Sequence, residues 1–124
     1  MEKCFFCESI KNNSFYLENE YAVIRFDDFP VSKGHLEVIS KRHIKDIFET
    51  SKEEREALYS LLHKAKEFLE NKYKPDGYNI GINMGEASGQ SINHLHIHLI
   101  PRYFGDVKNP RGGVRGVIPS KQNY

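Results

Sequence analysis

The stretch His94-Leu95-His96-Ile97-His98-Leu99-Ile100 alternates polar and apolar side chains through Leu99. In a β-strand, residues two apart point to the same face. The strand predicted over 94–100 therefore sets His94, His96 and His98 in one row, spaced roughly 6.5–7 Å along the chain. Leu95, Ile97 and Leu99 turn to the core, and Pro101 is expected to close the strand. Three imidazoles in a row make a face that must meet solvent, a metal or an anion.

Before this strand, Met84–Asn93 reads as a Gly-containing loop and Gly77–Asn83 as another strand. Pro75-Asp76-Gly77 supplies turn chemistry ahead of it. Ser51-Lys52-Glu53-Glu54 is a capping-box pattern. The helix it opens carries Leu58, Leu61, Leu62, Ala65 and Leu69 as one apolar stripe at helical spacing. Ile44–Glu49 is expected as a short preceding helical turn. Further upstream, Ser14–Leu17, Tyr21–Asp27 and His35–Ser40 read as strands, with Asn19-Glu20 as a hairpin turn and 30–34 as a loop. Three strands, a long helix and two strands contain no strand–helix–strand repeat. The fold class is thus α+β, with a mostly antiparallel five-stranded sheet, one long helix and a short one.

The 124 residues carry 18 basic and 17 acidic side chains, a length and balance suited to one domain. Residues 102–124 form a basic Gly- and Pro-containing tail, with Arg102, Lys108, Arg111, Arg115 and Lys121 against Asp106. A net charge of +1 argues against a broad nucleic-acid footprint. No apolar run approaches the roughly 20 residues of a membrane helix, and Glu2 and Glu8 interrupt any secretory pattern at the start. A cytoplasmic protein is expected. Cys4 and Cys7 are then thiols or metal ligands.

Two chemistries suit the histidine row better than a solvated face. One is a catalytic zinc held by three histidines. The other is attack by one imidazole on phosphorus, with its neighbours stabilising charge. The loop directly before the row favours the second, because Gly85, Gly89, Gln90 and Ser91 offer backbone N–H groups, an amide and a hydroxyl to phosphate oxygens. It is not a P-loop, since no Gly-Lys-Ser/Thr follows.

His94-Leu-His96-Ile-His98-Leu-Ile resembles the signature of the histidine triad (HIT) family, His-φ-His-φ-His-φ-φ, with φ apolar. The resemblance spans most of the chain. Asp27–Ser40, Lys41-Arg42-His43-Ile44 and Gly89-Gln90-Ser91 also match, and the tail with Gly105-Asp106-Val107 and 109–119 is similar to a bacterial branch described as diadenosine-polyphosphate-hydrolase-like.

This resemblance implies a nucleotide hydrolase cleaving at the α-phosphate of an adenosine nucleotide, a dinucleoside polyphosphate or phosphoramidate. His96 would be the nucleophile, forming a nucleotidyl-histidine. His98 would contact phosphate and His35 would stand behind the row. Related transferases often carry Gln at the third position, so His98 leans toward hydrolysis. Asp27 would hold the ribose hydroxyls, Asn83 phosphate or ribose, and Gly89, Gln90, Ser91 and Ile92 the phosphate loop. Ile10 is a candidate wall for the base, while Arg25 stands where relatives are often apolar. A phosphorylase, or a non-catalytic nucleotide- or zinc-binding module, is the alternative.

The Cys4-Phe5-Phe6-Cys7 spacing alone fits a metal site, a redox pair or two buried thiols. The resemblance implies structural zinc on Cys4, Cys7, His43 and His94, and a two-fold homodimer. His63 on the long helix is read as a surface residue.

Overall fold

The computed structural model describes residues 3–124. Its elements are α1 (Phe5–Lys11), β1 (Leu17–Glu18), β2 (Ala22–Phe26), β3 (Leu36–Ser40), α2 (Lys52–Lys72), β4 (Gly77–Gly81) and β5 (His96–Arg102). The five strands form one antiparallel sheet in the order β1-β2-β3-β5-β4. The α+β arrangement is the one expected. No helix among the described residues is long and apolar enough to cross a membrane.

Period-two alternation gives the sheet two different faces. Ala22, Ile24, Leu36, Val38, Leu95, Ile97 and Leu99 pack against Leu58, Leu61, Ala65 and Leu69 of α2 to form the main core. Each fully buried leucine contributes about 1.5–3 kcal/mol by leaving water. Leu62, expected in the stripe, is only partly buried at its edge. The opposite face carries the second apolar cluster, Phe6 with Val23 and Ile39.

α1 was not legible as a helix in the sequence. It has seven residues and is capped by a cysteine: Cys4 Sγ accepts from the Cys7 N–H at 3.4 Å. Cysteine is not a usual capping residue, and the element is shorter than two full periods of an apolar stripe. The short helix expected at Ile44–Glu49 is a single 3-10 turn at Ile47–Glu49. β5 begins two residues later than expected and runs through Pro101 to Arg102. Pro101 fits because the ladder to β3 has already ended at Leu36–Leu99. Its carbonyl accepts the Ser32 hydroxyl at 2.6 Å.

Gly34, with φ +93°, turns the chain into β3 beneath the end of α2, where a Cβ would lie 2.8 Å from Leu69 Cδ2. Only glycine combines that dihedral with that approach. The 102–124 segment is folded rather than loose. Arg102 belongs to β5, two 3-10 turns follow at Gly113–Val117 and Pro119–Lys121, and Arg111 and Arg115 lie over the Tyr124 ring.

The capping box at the start of α2 is complete: Glu54 N–H donates to Ser51 Oγ at 3.1 Å, and Ser51 N–H donates to Glu54 Oε1 at 2.9 Å. Arg42 adds two bonds to the same carboxylate, at 2.8 and 3.0 Å. These partners, Arg42 foremost, hold the Glu54 carboxyl down at about 2. Glu54→Gln keeps a capping-box acceptor but loses the ion pair with Arg42, and is expected to cost up to about 1 kcal/mol at pH 7. Because the folded-state carboxyl titrates below the unfolded one, its contribution is present above about pH 4.5 and lost as the pH falls toward 2. The melting difference between wild type and variant should therefore shrink over that window.

Candidate functional site

The strand register builds the histidine face row by row. Val23 pairs with Ile39 and Ile39 with His96; one step along, Arg25 pairs with Glu37 and Glu37 with His98. Beyond that row, the Asp27 N–H donates to the His35 carbonyl at 3.0 Å. His96 therefore stands over an apolar floor, and His98 at the end of a charged row.

His96 is buried, with the Phe6 ring 4.9 Å from its own. Its Nδ1 lies 2.8 Å from the His94 carbonyl oxygen. A carbonyl only accepts, so Nδ1 carries a proton and, in the neutral ring, Nε2 carries the lone pair. The same accounting runs through the neighbours. The Val31 N–H donates to His35 Nδ1 at 3.2 Å, so His35 Nε2 bears a hydrogen. That Nε2–H donates to His98 Nδ1 at 2.9 Å, which leaves His98 with a donor at Nε2. Asp27 Oδ2 lies 3.5 Å from His35 Nε2 and 3.6 Å from His98 Nδ1. Burial, followed by His96 and His35, pushes His98 down to about 4, and burial also lowers His35. At neutral pH His98 is an uncharged donor beside the free nitrogen of His96.

A cleft of about 170 Å³ opens over these groups. Its walls bring together His96, His98, Asp27, Asn83, Ser91 and Ile92, all expected at a site, with Phe5, Arg25, Glu37 and Phe29 added by the fold. Gly89 and Gln90 are not part of its wall. The Gln90 amide is used within the loop: it accepts from the Gly85 N–H at 2.8 Å and donates to the Lys45 carbonyl at 2.9 Å. Gly89 holds φ +90°. Both shape the loop that carries Ser91. Ile10 packs with the Phe6 cluster rather than on the cleft. Arg102 binds Asp106 and Asn79.

His94 does not share this cleft. It is fully buried, and its Nε2 lies 2.6 Å from the Ser40 carbonyl, so Nε2 is protonated and Nδ1 is a lone pair. Around Nδ1 stand Cys4 Sγ at 3.3 Å, Cys7 Sγ at 3.5 Å and His43 Nδ1 at 3.2 Å, with Cys7 Sγ to His43 Nδ1 also 3.2 Å. The histidine row thus splits between two centres, with Phe6 packed on both His94 and His96.

Comparison with known proteins settles the relationship. Residues 9–105 match the model of the HIT domain. The chain belongs to the HIT family. An uncharacterised HIT-like protein of Methanocaldococcus jannaschii is 36% identical over 117 residues, 86% of this chain and 90% of the relative. A crystal structure of a zinc-bound histidine triad family protein from Mycobacterium smegmatis superposes with a TM-score of 0.75 at 30% identity, covering 84% of this chain and 78% of that one. An AP-4-A phosphorylase of Mycobacterium tuberculosis is 34% identical over 87 residues, 69% of this chain and 44% of the relative.

In this HIT chain the four-residue cluster fits zinc on its own geometry. Bonds of 2.3 Å to sulfur and 2.0–2.1 Å to nitrogen give tetrahedral edges of about 3.3–3.8 Å, and the donor atoms here all lie within 4.8 Å of one another. The donor set is acceptor-only at His94 Nδ1. Burial and then Cys4 push the Cys7 thiol up to about 11, and a divalent cation at the centre would reverse that shift.

Sequence reading gave Glu37 no role and noted Arg25 only as standing where relatives are often apolar. An acid on the same strand face as His35 was the available signal, but nothing local shows which strand it will pair with. If the cluster holds zinc, purified protein should contain about one zinc per chain by elemental analysis. Cys7→Ser should lose the metal and lower Tm by about 5 °C or more, a change of 1–2 kcal/mol for a domain of this size, while His96→Ala keeps it.

Proposed function

We propose that the chain is a nucleotide hydrolase in which His96 attacks the α-phosphorus of a purine nucleoside phosphate. The observation that carries this reading is the bond from His96 Nδ1 to the His94 carbonyl, which leaves Nε2 unprotonated beside the cleft. In the first step Nε2 forms a bond to phosphorus, and the bond to the leaving group breaks with its electron pair going to that group. In the second step a water oxygen bonds to phosphorus and gives up a proton to solvent, the P–N bond breaks, and His96 recovers its lone pair. His98 donates from Nε2 to a phosphoryl oxygen as charge builds there, and His35 holds the His98 ring through its Nε2–H. Asp27 also accepts from ribose hydroxyls, and Asn83 and Ser91 contact phosphate or ribose. Zinc on Cys4, Cys7, His43 and His94 would be structural, securing α1 to the His94 backbone that fixes His96.

The AP-4-A phosphorylase relative supports a second reading, in which phosphate takes the place of water as acceptor. A binding module needs no nucleophile with a fixed tautomer, so the His96 geometry speaks against it. A two-fold dimer belongs to the same proposal: β4 is an edge strand, and exposed Ile80 on it adjoins exposed Tyr59 of α2.

The test mixes protein with dinucleoside polyphosphates and nucleoside phosphoramidates, and seeks one nucleotidyl group on His96 by mass spectrometry. His96→Ala is expected to abolish the adduct and lower turnover by roughly 10⁴–10⁶-fold, as for other covalent nucleophiles. Nucleoside monophosphate as product supports hydrolysis; nucleoside diphosphate formed only with added phosphate supports phosphorolysis. Full turnover in His96→Ala sinks the proposal.

A further inference from the structure

We propose that Arg25 and Glu37 read the base of the bound nucleotide and select a 6-oxopurine, guanine or hypoxanthine, over adenine; this rests on the nucleotide chemistry proposed for His96. The pair lies on the row that ends in His98, with Glu37 one strand from it and Arg25 two strands away. At a strand spacing of about 4.8 Å, Arg25 sits some 10 Å from His98 across the face. A ligand with its phosphorus at His96 and its ribose at Asp27 places its base over these two side chains. Both line the same cleft as His96.

The face could have been apolar here, as it is in the next row, where Val23 and Ile39 take the equivalent places. A charged pair costs desolvation that hydrophobic residues of similar size would not. Glu37 is 4% exposed. The guanidinium is held in place by Asp28, both of whose oxygens lie 3.2 Å from Nη2, and by Glu37 Oε1 at 3.5 Å. Phe5 stacks on it, with the Arg25 Cζ 4.6 Å from the ring centroid. Yet Arg25 Nε is buried with no hydrogen-bond partner, the one such side-chain atom among the described residues. This buried, unpaired donor adds to the cost of keeping the charged pair at this position.

What the pair presents is a donor beside an acceptor. A 6-oxopurine offers the complement: O6 and N7 accept, and N1–H donates, joined in guanine by the 2-amino group. Guanidinium to O6 and N7 is the commonest arginine contact with guanine, and a carboxylate accepts two parallel N–H bonds. Adenine turns the lone pair of N1 toward the place where the carboxyl expects a donor. Burial, then Asp27, pushes Glu37 up to about 8 while Arg25 pulls it down. The carboxyl is thus largely protonated at pH 7 without a ligand, and N–H donors from a base, added to the Arg25 side, convert it to the charged acceptor on binding.

The experiment measures calorimetric binding of GMP, IMP, AMP, CMP and UMP to the wild-type protein. GMP and IMP should bind about 10-fold tighter than AMP or more, the scale of one good bidentate contact. Replacing the pair together, Arg25→Met with Glu37→Leu, removes both charges at once and should bring the GMP to AMP ratio to about 2-fold or less. AMP binding as well as GMP in the wild type overturns the inference, and so does a ratio unchanged in the double variant. A His96 adduct formed without base preference overturns this inference alone. Absence of both adduct and monophosphate binding overturns the function proposed for His96 as well.

Discussion

Register between β3 and β5 is the constraint on which the rest depends. Ile39 opposite His96 and Glu37 opposite His98 set which side chains share the cleft. A slip of one residue would exchange the two faces, turning His96 and His98 into the core and Ile97 and Leu99 out to solvent. The slip is opposed by α2, whose buried Leu58, Leu61, Ala65 and Leu69 meet Leu36, Val38, Ile97 and Leu99 from the other side. The hydrophobic face thereby fixes the polar one. Gly34 contributes by letting the entry to β3 lie directly on Leu69.

From that register follows a chain of tautomers. Each ring nitrogen near the cleft is assigned by what its other nitrogen touches: the His94 carbonyl for His96, the Val31 amide for His35, and His35 in turn for His98. Backbone groups, which cannot change their donor or acceptor character, anchor the chain at both ends. Burial keeps His98 and His35 uncharged at neutral pH. The result is a free imidazole nitrogen next to an uncharged donor, an arrangement suited to meeting a phosphoryl group.

The two centres are coupled through a short piece of backbone. The His94 side chain belongs to the cysteine cluster and its carbonyl to His96. Anything that holds the cluster also holds the acceptor that orients His96. Phe6, on the helix that Cys4 caps, packs on both rings. α1 thus links the cluster to the wall of the cleft, and it brings Phe5 against Arg25.

Local patterns in the chain were enough for the α+β class, the order of strands and helix, the capping box at Ser51 and the core-facing Leu95, Ile97 and Leu99. Each rests on spacing within a single element, where alternation or helical periodicity is set by backbone geometry. His96, His98, Asp27 and Asn83 were legible too, through a motif confined to short stretches. Other features needed partners far away in sequence. α1 is too short to show a period and is capped by a cysteine. The division of the histidine row between two centres, which the family resemblance implied but no spacing within the strand shows, depends on Cys4 and Cys7 from one segment and His43 from another reaching His94. The Gln90 amide is spent on Lys45, and Arg25 meets Glu37 only because β2 pairs with β3. Spacing along a strand decides which way a side chain points. What stands opposite it is decided by strand pairing and helix packing, which bring together residues that no local pattern relates.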